Sequence, residues 1–146
     1  MRLKSNDFND YYFVPKTCGY RLGNKVPSLY VEGVPENATD LALVVYDPDV
    51  SYGELTHWLV WNLPVDIGEF TDNNLPPGAI QGTNDMGTVG YYGPTFTNGL
   101  HHIHFLIFAL NIYLPLDSGS NRLFFDSAVR NNFIDHASLI GMYQQE

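Results

Sequence analysis

Hydrophobic residues along the chain fall into short runs punctuated by Pro, Gly, Asn and Asp, a spacing that suits strands joined by turns rather than long helices. Three runs dominate. Leu41-Ala42-Leu43-Val44-Val45-Tyr46 is continuously apolar, β-branched at its centre, and halts at Asp47-Pro48. Thr56-His57-Trp58-Leu59-Val60-Trp61-Asn62 halts at Pro64, and a third run extends from His102 to Leu110. Runs apolar on both faces are typical of strands covered on both sides. Leu43, Val45, Leu59, Trp61, Phe105 and Ile107 are therefore expected in the core. Ser28 to Glu32 and Gly87 to Tyr92 are weaker strand candidates. Near the C-terminal end the period changes: Leu123, Phe124, Ala128, Val129 and Phe133 share one helical face, with Ser120 as the expected cap. Ala137 to Tyr143 reads as a last turn or an edge strand. Many strands followed by one or two helices make a mostly-β fold with peripheral helices. No repeat, linker or low-complexity tract divides residues 1–146, so a single domain is expected.

Composition narrows the function. Of 146 residues, 45% are hydrophobic and 14% aromatic, enough for a packed core and too many for a disordered chain. Lys and Arg number 7 against 16 Asp and Glu, a net charge of -9. Nucleic-acid binding needs a basic footprint, and anionic membranes attract cations, so neither partner is expected. The charge is also uneven: no Lys or Arg occurs between Lys25 and Arg122. An anion bound by that stretch must be held by backbone N–H groups, hydroxyls or histidines. Cys18 is the sole cysteine, which excludes an intramolecular disulfide and a multi-cysteine metal site. It reads as a buried thiol rather than a nucleophile. The N-terminal residues lack a signal-peptide apolar region, and the longest uncharged apolar stretch, Gly99 to Leu116, carries three His. No membrane span is expected, and the cytoplasm is the expected location.

Phosphate loops, dinucleotide fingerprints, G-x-S-x-G elbows and H-E-x-x-H are all missing from the sequence. No cofactor is expected. Four features remain. Asp47-Pro48-Asp49 reads as a strand-ending turn, or as a carboxylate fixed at the mouth of a sheet. His57-Trp58 reads as a core pair, or as a pocket wall with a polar tip. Gly90-Tyr91-Tyr92-Gly93-Pro94 reads as an inter-strand loop, or as a nest of free N–H groups. In His101-His102-Ile103-His104 strand alternation puts His101 and Ile103 on one face and His102 and His104 on the other. The His-x-His spacing also suits a metal, although a third ligand is not evident.

Taken in order, these features resemble the phosphatidylethanolamine-binding protein family, in its short bacterial and archaeal branch labelled Raf kinase inhibitor-like. The matching residues are Asp47-Pro48-Asp49, His57-Trp58, Gly90-Tyr91-Tyr92-Gly93-Pro94 and Gly99-Leu100-His101. Gly33-Val34-Pro35-Glu36, Asn62-Leu63-Pro64, Pro77 to Asp85 and Leu139 to Tyr143 agree as well. The resemblance implies a two-sheet antiparallel β-sandwich with helices at its C-terminal side. It implies a small anion cavity lined by Asp47, His57, Gly93 and His101, with the aromatics Trp58 and Tyr91 nearby. The implied ligand is a small anion or phosphorylated head group, bound without catalysis. Regulation of a kinase or other protein partner comes only from the family label, and a homodimer only from analogy. Ser51 replaces a family proline, Phe96-Thr97 replaces Pro-Pro, and His102-Ile103 replaces Arg-Tyr. Ile103 keeps the cavity face without a hydroxyl, so a less polar cavity is expected. Two other readings compete: a hydrolase using Asp47, His57 and His101 as acid and base, and a metal-binding module on the histidine cluster.

Overall fold

The computed structural model describes residues 1–95 and 99–144. The strands are β1 (Arg2–Ser5), β2 (Tyr12–Phe13), β3 (Leu29–Glu32), β4 (Asp40–Asp47), β5 (Leu55–Leu63), β6 (Ile80–Gln81), β7 (His101–Leu110) and β8 (Phe133–Tyr143). One α-helix, α1 (Arg122–Val129), precedes β8, and two 3-10 turns lie at Lys16–Cys18 and Tyr20–Leu22. The main sheet has the order β2-β8-β7-β4-β5-β6, and β1 pairs with β3 in a second, two-stranded sheet. All pairs are antiparallel except the two-residue β2, which runs parallel to β8.

The three long apolar runs form β4, β5 and β7, and β4 lies between the other two. Both faces of these strands are covered, which accounts for their two-faced hydrophobicity. On the inner face Leu43, Val45, Val60, Phe105 and Ile107 pack with Leu3 and Leu29 of the small sheet. On the outer face Ala42, Val44, Leu59 and Trp61 pack beneath Phe125 and Val129 of α1. All six residues expected in the core are at most 1% exposed.

Four local expectations need correction. Asn121, not Ser120, caps α1: its backbone is extended and its side chain accepts the Phe124 N–H at 3.3 Å. Phe133 starts β8 rather than ending the helix, because Asn132 turns the chain with bonds to the carbonyls of Ala128 and Val129. Ala137 to Tyr143 belongs to an eleven-residue strand lying inside the sheet, between β2 and β7. Gly87 to Tyr92 forms no strand. It makes one isolated bridge, Thr83 to Val89, and Asn84 organises the turn instead, bonding Thr88 and the Gly90 carbonyl.

Candidate ligand-binding site

Asp47 is the last residue of β4 and is fully buried. Its Oδ1 accepts the Asp49 N–H at 2.7 Å, closing Asp47-Pro48-Asp49 as a tight turn. Its Oδ2 accepts Nδ1 of His101 at 2.6 Å, across 54 positions of sequence. A carboxylate only accepts, so Nδ1 of His101 carries the hydrogen. His101 opens β7, and the β4–β7 pairing brings that end of the strand to the Asp47 turn.

His57, on β5, is 1% exposed. Its Nδ1 donates to the Tyr92 carbonyl at 2.6 Å, and the Tyr92 N–H returns a bond to the His57 carbonyl at 3.0 Å. Burial pushes the His57 imidazole below its ordinary range, and the charge of nearby His101 acts in the same direction. The Tyr92 carbonyl and the carboxylates of Asp47 and Asp85 oppose that shift. The ring is therefore neutral at pH 7. Asp47 and His101 thus touch, and both act electrostatically on His57.

The glycine loop is built for packing. The N–H groups of Gly90, Tyr92 and Gly93 are bonded to the Gly82 carbonyl, the His57 carbonyl and Asn24 Oδ1. These three amides do not form the free nest that the glycines suggested. A Cβ at Gly93 would run into the Cys18 carbonyl. Tyr91 donates its hydroxyl to that same carbonyl at 2.6 Å, and Trp58, fully buried, donates its indole N–H to Gln81 at 2.7 Å. The two rings meet edge to face at 6.4 Å and turn their polar ends into the protein.

His102 points away, as alternation predicts. Its Nδ1 and its backbone N–H both reach Asp49 Oδ2 at 2.8 Å. His104, on the same outer face, stacks on Tyr46. Among the described residues no three His, Cys, Asp or Glu side chains are grouped to hold a metal ion, so the metal-module reading has no ligand set there. Ile103 is buried and Ser51 exposed; Phe96 and Thr97 lie outside the described residues.

Sequence reasoning missed Asn24. It has φ 54°, and its side chain bonds both the Gly93 N–H and the Tyr91 carbonyl. The Gly23-Asn24 pair, both residue types tolerant of left-handed backbone, was the available signal. Cys18, distant in sequence, also lies against this loop. Burial, reinforced by Asp7 and Asp72, pushes its thiol up to about 12, so it stays protonated and is a poor nucleophile.

The Phosphatidylethanolamine-binding protein family model matches residues 4–144. The chain belongs to this family. A UPF0098 protein of Methanothermobacter thermautotrophicus is 36% identical over 150 residues, covering 99% of each chain. UPF0098 protein YbcL of Escherichia coli is 38% identical over 133 residues, 84% of this chain and 73% of that one. The crystal structure of YbcL, described as a new member of the mammalian family, superposes with TM-score 0.91 at 30% identity, covering 99% of this chain and 98% of that one. CT736 of Chlamydia trachomatis, described as a homolog of the family, superposes with TM-score 0.93 at 28% identity over 99% and 97% of the two chains. Phosphatidylethanolamine-binding protein family membership supports a ligand-binding protein of that type. Among the described residues no helix is long and apolar enough to cross a membrane.

Proposed function

We propose that this chain is a non-enzymatic binding protein taking a small anion, phosphate or a phosphorylated group, at Asp47, His57 and His101, with Trp58, Tyr91 and Gly93 forming the wall. One observation carries the reading: a buried carboxylate grips Nδ1 of a histidine that is only 8% exposed, beside a second buried histidine. Asp47 uses both oxygens inside the protein, so it orients His101 rather than meeting an anion directly. His57 is held neutral by burial and acts as a dipole beside the Asp47–His101 pair. Against hydrolysis stands the protonated Cys18 thiol, the one thiol near the loop. A single domain fits the family match from 4 to 144.

The test is phosphate titration by NMR or calorimetry at pH 7, of the wild type and of His101→Ala. His101→Ala should weaken binding at least severalfold at a given pH. Equal affinity in wild type and His101→Ala would remove His101 from the binding role, and no binding by the wild type would overturn the anion reading. Turnover of simple esters or phosphoesters by the wild type, abolished in His101→Ala, would favour the hydrolase instead.

A further inference from the structure

A second polar site lies at the opposite end of β4. Asp40 opens that strand seven positions before Asp47, roughly 23 Å away at about 3.3 Å per residue. It is 1% exposed, and alternation puts it on the face of Ala42 and Val44, whereas Asp47 shares the face of Leu43 and Val45. Beside it, Asn62 sits at the register shift between β4 and β5, with φ 56°. Asp40 and Asn62 line one cleft of about 300 Å³ with Pro64, Pro77, Gly78 and Tyr113.

Asp40 Oδ2 and Asn62 Oδ1 are both buried, and neither has a hydrogen-bond partner. Buried acceptors are nearly always satisfied, so two in one cleft call for a donor. The lining cannot supply it readily. Neither proline has an N–H, no Lys, Arg or His takes part, and the only side-chain donors are the Tyr113 hydroxyl and the Asn62 amide itself. Burial also pushes the Asp40 carboxyl up to about 7, opposed only by the Leu41 N–H, so no cation of the protein balances it. A hard divalent ion would need about six oxygen ligands, more than these side chains offer. A primary ammonium ion is compact, singly charged and carries three N–H donors.

We propose that this cleft binds a small primary ammonium ion, which donates to Asp40 Oδ2 and Asn62 Oδ1. The site is separate from the Asp47–His101 pair and does not depend on the anion reading.

The experiment is an NMR titration of the protein at pH 8 with methylammonium chloride. Tetramethylammonium, which has no N–H, and potassium serve as controls. Methylammonium should shift the Asn62 side-chain amide and the Asp40 carboxyl saturably, while neither control does. Affinity should fall severalfold from pH 8 to pH 6 as Asp40 takes a proton. Asp40→Asn, of the same shape, should weaken binding at least tenfold. Asn62→Gly tolerates the left-handed backbone and removes the second oxygen; it should weaken binding severalfold. A cooperative thermal transition in both variants shows that they fold. The proposal is overturned if no saturable shift occurs, if tetramethylammonium or potassium acts as strongly, or if the folded variants respond like the wild type.

Discussion

Two neighbouring histidines make the same bond with unequal consequences. His101 binds Asp47, which is wholly buried, whereas the side chains of His102 and Asp49 are 37% and 36% exposed. Water screens the outer pair and leaves the inner one strong. Asp47→Asn keeps an acceptor for the Asp49 N–H but removes the carboxylate facing His101. It should lower the denaturant midpoint by the equivalent of about 1–3 kcal/mol at unchanged slope. Asp49→Asn should cost under about 1 kcal/mol in the same assay. Equal losses would show that burial does not distinguish the two pairs. Much of this site was readable from residue types: the Asp, the two histidines and their alternation were all in the pattern. Asn24 was not, because its role is to bond the backbone of a loop 67 and 69 positions away.

At the level of elements, the structure separates runs that carry their own signal from runs made by their neighbours. β4, β5 and β7 were legible because central strands are apolar on both faces and end at Pro or Asn. β2 and β6, two residues each, exist only because β8 and β5 offer an edge to pair with. β8 was obscured because its burial is uneven: Leu139, Gly141 and Tyr143 are buried while Phe133, His136 and Ser138 are not. The helix is held by more than its cap. Phe125 packs 6.2 Å from Trp61, and Arg122 lies 4.8 Å over Tyr46 while pairing with Asp126 and Glu54. Ile107→Ala, in the central strands, should cost about 2–5 kcal/mol in chemical unfolding. Leu123→Ala, at a position 70% exposed on α1, should change stability by under about 0.5 kcal/mol. A loss under about 1 kcal/mol at Ile107 would mean that β7 does not anchor the sandwich.

For the whole molecule, two buried groups give stability opposing dependences on pH. His57 titrates below its ordinary value in the fold, so on acidification the unfolded chain takes up its proton first and stability falls below about pH 6.5. Asp40 behaves the other way. Its carboxyl is raised from 3.8 to about 7, so the folded state holds a proton that the unfolded chain has released, and stability is lost as pH rises from about 4 through 7. Thermal melts across pH 5 to 8 should separate the two. His57→Gln flattens the acid side, and Asp40→Asn raises stability at pH 8 more than at pH 5. A profile unchanged in both variants would assign the pH dependence to other groups. Pro94 and His101 have separate anchors: the Pro94 carbonyl accepts the Tyr20 N–H, whereas His101 and His102 are moored to the Asp47-Pro48-Asp49 turn. Each flank therefore keeps its own anchor to the scaffold, so a substitution that frees one leaves the other held in place.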